Sequence, residues 1–188
     1  TDTRKIYYRM NSDYVTDKWF ELGTLPYAGG RGVFGTGYNN NNTSNIDYVT
    51  IDTLGNATDF GDLTGVSTGR RSYLSACSSS TRGVFGGGSE ISSPANLSST
   101  NTIDYITITS TANAVDFGDL SVTKTGVAAC SSSTRGVFGG GSTPTVSNVI
   151  DFITISTLGN AIRFGDLTQA RSNISSCSNS TRGIFAGG

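Results

Sequence analysis

The phrase S-S-T-R-G-V-F-G-G-G fills residues 79–88 and returns unchanged at residues 132–141. Looser copies begin at Arg31 (R-G-V-F-G-T-G) and Arg182 (R-G-I-F-A-G-G). The anchoring arginines Arg31, Arg82, Arg135 and Arg182 stand 51, 53 and 47 residues apart. A chain with such a period builds one small unit several times and buries each unit against its neighbours, because a single unit cannot enclose a core.

The clearest unit shows what is repeated. Residues 73–79 alternate large and small side chains, and Arg82–Phe85 then runs into Gly86-Gly87-Gly88, which reads as one hairpin. After a polar loop comes Ile103-Asp104-Tyr105-Ile106-Thr107-Ile108, whose β-branched and aromatic residues alternate as in a strand. A turn at Ala112-Asn113 precedes a fourth strand ending Phe117-Gly118-Asp119-Leu120. Ile46-Asp47-Tyr48 with Phe60-Gly61-Asp62-Leu63, and Ile150-Asp151-Phe152 with Phe164-Gly165-Asp166-Leu167, repeat the last two strands with the same Ile-to-Phe offset of 14. Four short strands with turn residues between them form one blade of a β-propeller.

The chain therefore reads as one all-β domain over residues 1–188, with full blades at 31–63, 71–120 and 124–167. Ile6-Tyr7-Tyr8 followed by Trp19-Phe20-Glu21-Leu22 carries the aromatic-x-x-Leu ending and reads as the second half of a blade, while residues 173–188 supply only a first half. Residues 173–188 and 4–22 are expected to make a composite fourth blade, so that only short, protected edges remain. Phe60, Phe117, Phe164 and Trp19 should be buried at matching positions, with Val84, Phe85, Val137, Phe138, Ile184 and Phe185. The short spacing before Arg31 predicts a stunted inner strand in the first full blade.

The order of the unit, a double glycine closing the second strand (Gly86-Gly87, Gly139-Gly140, Gly187-Gly188) and an aromatic before the final Leu, resembles the kelch repeat. Trp19 matches the aromatic usual in that family, and Phe60, Phe117 and Phe164 stand in for it elsewhere. The resemblance implies a kelch-like propeller of four four-stranded antiparallel blades. More narrowly, T-R-G-V-F-G-G-G and N-A-x-D-F-G-D-L resemble repeats in bacteriophage virion and tail-fibre proteins of aquatic phages. That implies a structural or host-recognition protein of a virion; a secreted or cell-surface propeller that forms filaments or binds glycans is the alternative.

Chemistry is poorly served by this composition. Histidine is absent, and charged residues make up only 14% of the chain, with a net charge of −1. A Ser-His-Asp mechanism and the usual zinc or copper ligand are thereby unavailable, and the basic field that nucleic-acid binding uses is missing. No apolar run is long enough to span a bilayer as a helix, and Thr1 in place of an initiator methionine points to a processed product or a piece of a longer chain. Cys77, Cys130 and Cys177 recur at one repeat position and read as small buried side chains without a disulfide. The recurring charges Arg82, Arg135, Arg182, Asp104, Asp151, Asp119 and Asp166 read as structural hydrogen bonds or ion pairs repeated from blade to blade. The expectation is a non-enzymatic protein of a virion or the extracellular space with no cofactor and no metal. Protein partners, further copies of itself or cell-surface carbohydrate would meet the unequal polar loops 36–45, 88–100 and 141–148. Their candidate contact residues are Tyr38, Asn40, Asn42, Glu90, Asn96, Thr143 and Thr145.

Overall fold

The computed structural model describes residues 5–9, 19–24, 30–37, 43–64, 71–93 and 96–188, and all their regular structure is β. Strand β1 (Lys5–Arg9) pairs antiparallel with β2 (Trp19–Thr24). The first sheet comes next as β3 (Arg31–Gly37), β4 (Thr43–Thr50) and β5 (Thr58–Asp62), in that order. A short strand β6 (Arg71–Ser72) leads into the second sheet. This contains β7 (Ser75–Ser78) and β8 (Arg82–Gly86); a side hairpin, β9 (Ser89–Ser93) and β10 (Asn96–Ser99), intervenes before β11 (Thr102–Thr107) and β12 (Val115–Asp119). The third sheet repeats the plan with β13 (Ala128–Ser131) and β14 (Arg135–Gly139), a smaller hairpin β15 (Ser142–Thr143) and β16 (Thr145–Val146), then β17 (Val149–Thr154) and β18 (Ile162–Asp166). Last come β19 (Ser175–Ser178) and β20 (Gly183–Ala186), a two-stranded half-sheet.

The F-G-D-L phrase has a local cause. In β4–β5, Ile46 faces Gly61 but Asp47 faces Asp59, so Phe60 is the extra residue of a β-bulge. The same skip occurs at Phe117 and Phe164. Each bulge turns its phenyl ring edge-on to the aromatic of the preceding strand, with centroids 5.9 Å apart for Tyr48–Phe60 and 6.0 Å for Tyr105–Phe117. Gly61 sits at φ +143°, where a Cβ would lie 2.5 Å from the carbonyl oxygen of Ala112 in the next repeat. Only glycine permits both that backbone angle and that approach.

Successive sheets are joined by one recurring set of contacts. Phe85 covers Gly35, Phe138 covers Gly86, and Phe185 covers Gly139. Cys77 packs on Gly136 and Cys130 on Gly183. Between the first and second sheets Ile46, Phe60, Leu63, Phe85 and Ile106 close a core; between the second and third, Ile103, Phe117, Leu120, Phe138 and Ile153 do the same. Polar groups obey this order too. Arg31 and Arg82 donate to the carbonyl oxygens of Ile108 (2.7 Å) and Ile155 (2.9 Å), each in the following repeat. The Asp62 and Asp119 amides donate to the side-chain oxygens of Asn113 and Asn160, both at 3.1 Å.

Several expectations change at the margins of this array. Phe164 is 57% exposed, against 3% for its counterpart Phe117, and Ile184 is exposed as well. The half-sheet β19–β20 lies on β13 but nothing described covers β17–β18, so identical sequence does not bring identical burial. Val137 and Phe185 are half-buried, whereas Val84, Phe85 and Phe138 are buried as expected. The pairing Lys5↔Thr24 and Tyr7↔Glu21 skips Leu22, so in strand position Leu22, and not Trp19, corresponds to Phe60. The first sheet shows three strands, and the stunted strand expected just before Arg31 falls mostly outside the described residues.

Candidate contact surface

The double glycines lift a hairpin off each sheet. Gly87 and Gly88 have φ of +68° and +105°, and Gly140 and Gly141 +70° and +98°, which turn the chain sharply out of β8 and β14. The raised hairpin is β9–β10 in one repeat and β15–β16 in the next. Each hairpin root pairs with the segment entering its own sheet, Arg71↔Glu90 and Ser72↔Ser89 in one case and Thr125↔Ser142 in the other. The Ser89 hydroxyl donates to the Thr125 hydroxyl at 2.8 Å, and the Thr123 and Thr143 hydroxyls share a hydrogen bond of 2.8 Å. One polar seam, Ser89–Thr125–Ser142, therefore sets the two hairpins side by side.

Of the predicted contact residues, Thr145 is exposed and Thr143 half-buried at the seam. Glu90 is half-buried opposite Arg71, which makes it part of the hairpin's root. Asn96 opens β10, opposite Ser93. Tyr38, Asn40 and Asn42 lie outside the described residues, between Gly37 and Thr43, whose pairing closes the equivalent loop of the first sheet.

Beneath the seam are two charged pairs. Arg71 pairs with Asp104, and both side chains are wholly buried. Arg71 Nε donates to the Gly87 carbonyl at 2.7 Å, Nη2 donates to the Thr102 carbonyl at 2.7 Å, and the Thr64 hydroxyl donates to the other Asp104 oxygen. One repeat later Lys124 Nζ meets Asp151 at 2.7 Å, again fully buried, with Ser121 donating to the second carboxylate oxygen at 2.6 Å. Burial draws the Arg71 and Lys124 cations below their ordinary pKa and lifts Asp104 above the usual carboxylate range. Buried and hydrogen-bonded, these pairs brace the hairpin roots, since Arg71 also holds the Gly87 carbonyl and Lys124 the Val149 carbonyl.

The cations in these pairs are not the recurring arginines. Arg82 and Arg135 lie over the rings of Tyr105 and Phe152, 4.7 and 4.9 Å from the centroids. Arg182 is exposed, Asp119 is engaged through its backbone amide, and Asp166 forms an exposed pair with Arg163. Trp19 pairs in strand position with Arg9. Among the described residues no three metal-ligating side chains come together.

The cysteines give a direct check on sheet stacking. Cys77 and Cys130 are buried and Cys177 is exposed, all as free thiols, and burial raises the Cys77 thiol to about 12. At pH 8 a thiol reagent should label one cysteine per native chain, Cys177, and all three after unfolding. Equal labelling rates for the three in the native protein would disprove the packing of Cys77 and Cys130 on glycine. No protein-family model matches the chain, and no curated protein does either, so the arrangement of this surface is what bears on its role.

Proposed function

We propose that the chain is a non-enzymatic binding module of a phage virion, part of a tail or fibre, built as a kelch-like four-bladed propeller that contacts host surface or other virion proteins through its hairpins. The observation that carries this reading is the pair of unlike polar hairpins rooted side by side on like sheets. A rigid repeated frame with divergent surface loops at one repeat position is the usual division between scaffold and recognition. The ligand classes that suit hydroxyl- and amide-rich hairpins are protein and cell-surface carbohydrate. The composite blade of β19–β20 with a β1–β2 hairpin belongs to the same reading.

Gold-labelled antibody against the exposed 144–146 turn should decorate virions at the tail or its fibres. Label confined to fibres that belong to no particle would contradict the virion assignment. Replacing residues 91–97 and 143–146 by short Gly-Ser turns should lower binding to host cells at least about tenfold. The melting temperature should stay within a few degrees, since these hairpins are not strands of the four-stranded sheets. Full binding by the doubly replaced protein would remove the hairpins from recognition.

A further inference from the structure

One backbone position is left-handed in three successive repeats: Tyr73 at φ +56°, Gly126 at +64° and Asn173 at +53°. Each follows a basic residue and a hydroxyl, in Arg71-Ser72, Lys124-Thr125 and Arg171-Ser172. The three are hydrogen-bonded in a row. The Gly126 amide donates to the Tyr73 carbonyl at 3.0 Å, and the Asn173 amide donates to the Gly126 carbonyl at 2.9 Å. Glycine and asparagine are the residues such a position ordinarily takes, and a tyrosine there strains its backbone.

Burial does not offset that strain, since Tyr73 is 55% exposed. Tyr48 and Tyr105 each hold a phenyl ring edge-on and an arginine over the ring, and no such partner stands at Tyr73 among the described residues. Beside Tyr73, Gly126 is bare, and the Asn173 carboxamide lies against it with Oδ1 2.7 Å from where a Gly126 Cβ would be. The row lies one residue beyond the root pairings Ser72↔Ser89 and Thr125↔Ser142, at the foot of β9–β10 and β15–β16. Its neighbours in sequence, Ser72, Leu74, Thr125, Val127, Ser172 and Ile174, are all uncharged.

We propose that Tyr73, Gly126 and Asn173 form a binding site for a neutral pyranose sugar. An exposed aromatic ring offers a flat face on which the axial C–H bonds of a pyranose stack. Glycine at 126 adds no side chain between that ring and the carboxamide, and the Asn173 carboxamide can both donate to and accept from sugar hydroxyls. A charged ligand would find no counter-charge among the adjoining residues. The other two repeats keep the same turn without a ring, so strain retained under an exposed tyrosine marks a binding residue and not a requirement of the fold. The site rests on the binding role proposed above and gives it a ligand class and a second location, below the hairpin tips.

The test is saturation-transfer NMR on the full chain with cellobiose and lactose, whose pyranose rings carry apolar faces, and with sorbitol, which has the hydroxyls but no ring. Signal should pass from the protein to a disaccharide and not to sorbitol. The exchange Tyr73→Asn, which installs the residue type of the third repeat, should abolish that signal and raise the melting temperature by about 2–4 °C as the strain is relieved. No transfer to either disaccharide, or equal transfer to sorbitol, would overturn the proposal, as would an undiminished signal from Tyr73→Asn. A lower melting temperature for this variant would also overturn it, because the ring would then serve packing. The two readings fail separately: host-cell binding that survives hairpin replacement removes the hairpins and leaves this signal in place, whereas loss of the signal alone removes only this site.

Discussion

Asp104→Ala is expected to lower the unfolding free energy by about 3–5 kcal/mol, because it strands the buried Arg71 guanidinium without its counter-charge. The loss comes from the orphaned cation more than from the pair itself. Bringing two charges into a dry site costs nearly what their attraction returns, so Arg71→Met with Asp104→Leu should recover most of the stability. Denaturant titration of the single and double variants measures both. A single-variant loss below about 1 kcal/mol would place the pair in solvent, where such pairs contribute little.

The second large effect belongs to the ring-on-glycine contact. Phe138 is fully buried on Gly86, and Phe138→Ala should cost about 3–5 kcal/mol through lost burial and the cavity left behind. Gly86→Ala approaches the same contact from the other side. Its Cβ would lie 2.6 Å from the Phe138 ring, so the sheets must part, at about 1–3 kcal/mol. In the Phe138→Ala background the added methyl has room, and the Gly86→Ala penalty should shrink sharply. Additive losses would show that the glycine serves its own backbone and not its neighbour's ring.

Those glycines show what the sequence makes legible. The run at residues 86–88 reads as a turn, and Gly87 and Gly88 are one, with positive φ. Gly86 has no such angle; it is glycine because a phenylalanine more than fifty residues away needs the space. The strand pattern is plain because Ile46, Ile103 and Ile150 keep one offset to Phe60, Phe117 and Phe164, and a bulge shared by all three pairs demands that constancy. The partners of the recurring aspartates are hidden. Arg71 and Lys124 differ in type and come after Leu63 and Leu120 at unequal distances, so aligning the repeats does not bring them together. A buried pair needs only a cation at one point in space, and a connecting segment can deliver it from either spacing.

Phe164 and Trp19 show the complementary limits. Phe164 repeats Phe117 in sequence and in its bulge but not in burial, because burial depends on the next repeat and not on the residue. Trp19-Phe20-Glu21-Leu22 fits the aromatic-x-x-Leu ending, yet the pairing with β1 puts Leu22-Gly23-Thr24 in the strand positions of Phe60-Gly61-Asp62, where the first residue is not aromatic. The raised hairpins β9–β10 and β15–β16 are legible as loops of unequal length, whereas the seam through Ser89, Thr125 and Ser142 depends on hydroxyls in a chain rich in them and carries no separate signature.

Amide hydrogen exchange on dilute, isolated chains tests most directly whether each sheet is clamped to the next. The Ala114 and Ala161 amides lie outside every in-sheet ladder and donate across the stack to the Asp62 and Asp119 carbonyls, both at 2.7 Å. Their protection can come only from the neighbouring sheet. Both should exchange as slowly as the central strands β8 and β14, while the Asp166 amide, at the uncovered face, should exchange much faster than that of Asp119. If Ala114 and Ala161 exchange as fast as the exposed turn residues Ser80 and Ser133, the sheets are not stacked in this way.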